Sequence, residues 1–179
     1  ERLFRRVQPG GFILFGRNIE CPAQLRKLID DLRGISQIEP IITIDQEGGR
    51  VSRLPKGFTI FPPCELIGRC NSGELAYAVA ATTAKELRAV GINMNMAPVL
   101  DVNSNPDNPV IGDRAFGTTP DVVCELGLAT AAGLQDNKVV ACGKHFPGHG
   151  DTNADSHKEL PVVEASRERL EAVELPPFR

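Results

Sequence analysis

Residues 143–157, GKHFPGHGDTNADSH, hold all three histidines of the chain together with two aspartates and a lysine. Two kinds of chemistry use such a set. His145, His149 and Asp151 have the residue types of a metal site. Histidines four apart share a face only on a helix, however, and Pro147, Gly148 and Gly150 prohibit a helix there. A loop can still wrap an ion, so a metal-dependent hydrolase stays open as a reading. The other chemistry is proton transfer. Asp155 and His157 stand two apart in a loop, close enough for the carboxylate to reach an imidazole nitrogen. Such a partner fixes the tautomer and stabilises the imidazolium, as a general acid/base requires. A surface histidine bonding its neighbour has the same spacing, so the pair alone does not decide. Lys144 and His145, at the tip of an apolar run, are placed to donate hydrogen bonds to substrate hydroxyls or a carbonyl.

The elements that must position these residues alternate. Four apolar runs have strand character, at 11–15, 41–44, 92–100 and 138–143. Helical patterns lie between them. Leu25, Leu28, Ile29 and Leu32 follow Pro22 at helical spacing and stop at Gly34. Ser72 caps a stripe of Leu75, Val79, Thr83, Leu87 and Val90 that ends at Gly91. Thr119 and Pro120 open a third helix, and a fourth is expected over 166–174. The strands are almost continuously apolar, as in a parallel sheet covered on both sides. Two folds fit: an open doubly wound sheet, or part of a (β/α)8 barrel. Both put their sites at the carboxyl ends of strands. Here the runs lead directly into Arg17, Asp45, Asp101 and the Lys144–His145 pair, so the polar groups should converge on one face. GxGxxG and GxxxxGK[ST] are absent, which favours the barrel.

The bulk composition is that of one globular domain: 179 residues, 41% hydrophobic, net charge −3. Weak acidity gives no reason to expect nucleic acid or an anionic membrane as partner. No apolar run is long enough to span a bilayer. Five cysteines without CxxC spacing read as reduced thiols that mostly pack.

Taken together, ILFGRN, DQEGGRVSRL, MNMAPVLDVN, IGDRAFG, GKHFPGHGDTNADSHKELP and LPPFR, in this order, closely resemble the β-N-acetylglucosaminidase branch of glycoside hydrolase family 3 over almost the whole chain. The resemblance implies an α/β fold of (β/α)8 type, of which residues 1–179 would be a partial catalytic domain of about four βα units. It implies a retaining β-N-acetylhexosaminidase that removes terminal N-acetylglucosamine, cytoplasmic, acting on muropeptides in peptidoglycan recycling. His157 would be the general acid/base and Asp155 its partner. Asp45, Arg53, Arg114, Lys144 and His145 would hold the sugar, with no metal and no cofactor. Duller roles exist: Arg114 could brace the 103–113 loop, and Arg53 could pair with Glu47. Arg50, Asp101 and His149 are expected to brace loops. A retaining glycosidase also needs a nucleophilic carboxylate. None of Glu159, Glu164, Glu168, Glu171 and Glu174 has the family's Ser-Asp-Asp-type context, so the nucleophile is expected outside this sequence. A further expectation is an open half-barrel with exposed edges, or a partner chain that completes it. A non-catalytic sugar-binding fragment is the remaining alternative.

Overall fold

Each apolar run contributes a strand to one parallel sheet in a computed structural model that describes residues 2–152 and 165–179. Asp155 and His157 lie outside the described residues. The strands are β1 (Gly11–Leu14), β2 (Ile41–Ile44), β3 (Met94–Asn95) and β4 (Val140–Ala141), in the order β1-β2-β3-β4. β3 and β4 are shorter than their apolar runs. Pro98 has no N–H to give a ladder, and pairing resumes beyond it, with Leu100 N donating to Lys144 O at 2.6 Å and Lys144 N to Pro98 O at 3.1 Å. β1 stops before Phe15 because that N–H donates to the Asn18 side chain instead, at 3.0 Å.

The helices are α1 (Arg2–Val7), α2 (Pro22–Gly34), α3 (Cys64–Cys70), α4 (Gly73–Val90), α5 (Pro120–Asp136) and the short α6 (Arg167–Arg169), which continues as a π turn over Leu170–Glu174. Ser72 caps α4 by accepting from Leu75 N at 3.2 Å, and Gly91 ends it at φ 96°. Thr119 occupies the cap position of α5, but its side chain makes no capping bond. α3 is not foreshadowed by periodicity, since seven residues are too few to show a stripe.

Leu25 and Ile29 of α2, Ala80, Ala84 and Leu87 of α4, and Leu134 of α5 pack in one cluster with Leu14, Ile42 and Ile44 of the sheet. Helices therefore cover a single face. Sequential strand order requires this, because right-handed crossovers taken in one direction all return on the same side. The expected covering of both faces is not found among the described residues. Ile13, Ile41 and Val140, on the other face, are 44%, 51% and 57% exposed. A doubly wound sheet would reverse its order; this one runs as successive units of a barrel wall do.

α4 and α5 meet through small residues. A Cβ on Gly133 would fall 2.5 Å from Tyr77 O and 2.9 Å from Ala80 Cβ, so only glycine lets the helices approach this closely. The close approach also explains why Ala76, Ala80, Ala81 and Ala84 are buried on α4 while Leu75, expected in its stripe, is 39% exposed. Of the cysteines only Cys64 is buried; Cys21 and Cys70 are exposed, so packing is not their common role.

Candidate active site

β2 runs into Asp45, Gln46 and Glu47. The buried Gln46 is locked to β3 by reciprocal bonds with Asn95, 3.0 Å from Gln46 N to Asn95 Oδ1 and 2.9 Å from Asn95 Nδ2 to Gln46 O. Its own carboxamide oxygen accepts from Arg53 N at 2.9 Å, which pins the strand-side segment bearing Arg53. Between them the chain turns through Gly48 and Gly49, both at positive φ, where a Cβ on Gly48 would come 2.5 Å from Pro62 O.

Arg50 Nε pairs with Asp113 at 2.7 Å, and its Nη2 donates to Val110 O at 2.6 Å. Asn108 Oδ1 accepts from Val110 N and Ile111 N, and its Nδ2 donates to His149 O at 2.7 Å. These bonds fold the 103–114 segment back over the sheet and deliver Arg114.

The charged groups then meet. Glu47, whose side chain is 1% exposed, takes two parallel hydrogen bonds from Arg114, each 2.9 Å, and forms an ion pair with Lys144 at 2.6 Å. Lys144 also donates to Asp45 Oδ1 at 2.7 Å. Burial alone would weaken the Arg114 charge, but the Glu47 bonds and the fields of Asp101 and Asp45 outweigh it and raise its pKa. Asp101, fully buried, accepts from two backbone N–H groups of the 145–149 loop, His149 N at 2.6 Å and His145 N at 3.3 Å, and lies 2.6 Å from His145 Nδ1. Behind Glu47 sits Cys64, whose thiol is pushed up to about 12, first by burial and then by the Glu47 charge; a thiol so held is no nucleophile.

The loop is backed from the C-terminal side. The Phe146 and Phe178 rings meet edge to face at 5.4 Å, and Arg169 lies 3.8 Å from Asp151 and 3.4 Å from Glu174. Burial raises the Glu174 pKa despite Arg169.

Asp45, Arg53, Arg114, Lys144 and His145 all line one cleft of about 420 Å³ at the carboxyl ends of the strands, with Glu47, Arg50 and His149. That volume accommodates a monosaccharide. Both cation and acceptor groups face it, so it can hydrogen-bond a polyol from several sides. Arg114 does brace Val110 O, at 3.3 Å, as well as face the cleft. Arg53 does not take Glu47, which Arg114 and Lys144 hold; its Nε is buried without a hydrogen-bond partner. Arg50 and Asp101 brace the loops as expected. Glu47 is the centre that sequence reasoning missed. The D-x-E spacing at the end of an apolar strand was the available signal, since alternate residues there share a side.

His145 and His149 do approach each other, ring centroids 6.1 Å apart, but Asp101 and Arg114 engage both ring nitrogens of His145. Among the described residues no cluster of three or more His, Cys, Asp or Glu side chains is arranged to hold an ion, and no helix is long and apolar enough to cross a membrane.

Residues 2–179 match the glycosyl hydrolase family 3 N-terminal domain. The fold superposes on a glycoside hydrolase family 3 β-N-acetylglucosaminidase from Paenibacillus sp. str. FPU-7 with a TM-score of 0.96 and 49% identity, over 99% of this chain and 34% of that one. NagZ from Neisseria gonorrhoeae, solved in complex with N-trifluoroacetyl-D-glucosamine, gives 0.92 and 39%, over 97% of this chain and 54% of that one. A β-hexosaminidase of Thiobacillus denitrificans is 42% identical over 176 residues, 95% of this chain and 49% of its own length. The chain thus spans about half the length of such curated relatives.

Proposed function

This chain belongs to glycosyl hydrolase family 3, and from that membership we propose that residues 1–179 are the sugar-binding part of the catalytic domain of a retaining β-N-acetylhexosaminidase. The observation that carries the reading is the convergence of Asp45, Arg114, Lys144 and His145 on one cleft, in a chain whose relatives are named for hexosaminidase activity. Terminal β-linked N-acetylglucosamine is the substrate, with muropeptides as its source and the cytoplasm as its place. Asp45 accepts from ring hydroxyls, while Lys144 and Arg114 donate to sugar oxygens from positions that Glu47 holds fixed. Asp155 and His157 supply the proton transfer: the imidazolium protonates the leaving oxygen, and the imidazole then takes a proton from the attacking water. The nucleophilic carboxylate is assigned to none of residues 1–179. The outer edges of β1 and β4 are where the remaining strands of a barrel pair, whether from the same polypeptide or from a partner chain, and the uncovered sheet face is what they enclose.

Two measurements test this. N-acetylglucosamine titrated into the 179-residue chain should bind, and Asp45→Asn should weaken that binding at least about 10-fold, the loss of a charged hydrogen-bond acceptor; equal affinity of the two proteins defeats the sugar site. In the full-length enzyme, His157→Ala should cost about 10²–10⁴ in rate on a substrate with a poor leaving group and much less on an activated aryl glycoside. Near wild-type turnover on both removes His157 as the acid.

A further inference from the structure

His145 has two ring nitrogens and two charged neighbours that prescribe opposite roles for them. Asp101, completely buried, sits 2.6 Å from Nδ1. Its carboxylate already accepts backbone N–H groups from His145 and His149, so it is an acceptor for the ring as well. On the other side, Arg114 Nη2 lies 3.3 Å from Nε2. A guanidinium has no acceptor, so whatever bond forms there requires a lone pair on Nε2. Both neighbours therefore select the same form of the ring.

We propose that Asp101 is a positioning residue that fixes His145 as the neutral Nδ1–H tautomer, making Nε2 a hydrogen-bond acceptor in the cleft. An Nε2–H would instead face the Arg114 guanidinium, which has no acceptor to offer it. The 3.3 Å contact is longer than the two 2.9 Å bonds that Arg114 makes to Glu47. A ligand hydroxyl can therefore take over the Nε2 lone pair while Arg114 stays anchored. This last consequence rests on the sugar-binding reading above: the cleft then demands a group that donates at His145, a hydroxyl, and discriminates against an ether, fluorine or carboxylate oxygen there. The sequence supports the opposite assumption, that His145 donates.

The test uses histidine-selective 15N labelling of the 179-residue chain. Its three histidines give three imidazole spin systems, assigned through His149→Gln and His157→Gln. The expected His145 pattern is a protonated Nδ1 and a bare Nε2 at neutral pH, with slow exchange of the Nδ1 proton; an Nε2–H or fast-averaged ring overturns the proposal. In Asp101→Asn the Nδ1–H preference should be lost, and its persistence would mean that Asp101 does not set it. If that variant does not fold, the wild-type tautomer and its exchange rate still decide. Addition of N-acetylglucosamine should move the His145 Nε2 resonance, and one monodeoxyfluoro analogue should bind about 10-fold more weakly, the value of one hydrogen bond. An Nδ1–H ring that no sugar perturbs supports the tautomer and overturns the sugar reading instead.

Discussion

At Glu47 one buried carboxylate faces two cations, and the geometry sets what its removal costs. Taking Arg114 and Lys144 out of water is unfavourable, and the two Arg114 hydrogen bonds and the Lys144 ion pair to Glu47 offset that. Glu47→Ala removes the one carboxylate that both cations touch and leaves them Asp45 and the field of Asp101. Chemical denaturation should show a loss of about 3–5 kcal/mol, the usual cost of breaking a buried pair. A loss below about 1 kcal/mol would mean that the cations relax into solvent and that Glu47 is not what holds the donors in place. Asp45→Asn should be far milder for stability, since Asp45 is 20% exposed and shares Lys144 with Glu47.

At the scale of elements, two contacts position the site loops. The first is the α4–α5 seam, where glycine is required by proximity and not by backbone angle. Gly133→Ala forces a methyl against Tyr77 O and Ala80, so urea unfolding should register a cost of about 1–3 kcal/mol. An unchanged midpoint would show that the helices can part freely. The second is the turn after α6, which holds Glu174 against Gly148 and beside Arg169. Burial raises the Glu174 pKa above its unfolded value, so the folded state binds the proton more tightly. Stability should then fall as pH rises from the ordinary glutamate range through the raised value. Glu174→Gln removes that penalty. Its melting temperature should match wild type near pH 4 and exceed it at pH 8. A variant less stable than wild type at pH 8 would show that the bond to Arg169 outweighs burial.

For the whole molecule the uncovered sheet face dominates. Ile13, Ile41 and Val140 form an apolar strip on the side opposite the helices, flanked by strands with an unpaired edge among the described residues. Such a surface associates in water. The 179-residue chain should therefore self-associate at micromolar concentration in sedimentation experiments, and Val140→Lys should shift it toward monomer. A wild-type chain that stays monomeric and fails to bind a hydrophobic dye would show that the strip is covered from within.

The alternation of apolar runs with capped helical stripes was legible in the chain because it is a local signal: apolar runs of four to nine residues, Pro22 and Pro120 opening helices, Gly91 closing one. The positions of Asp45, Lys144 and His145 just beyond apolar runs were legible for the same reason, since parallel strands deliver whatever follows them to one rim. α3 was not legible, being shorter than two helical turns. Neither was the alanine seam of α4, because which side of a helix is buried depends on how closely its neighbour approaches. The pairing of Glu47 with Arg114 and Lys144 joins residues 67 and 97 positions apart (114 − 47 and 144 − 47), and that of Asp101 with His145 spans 44. Charge types alone do not choose partners at such separations. Only the tertiary structure decided that Glu47 belongs to Arg114 and Lys144 and not to Arg53, and that a buried Asp101 holds His145.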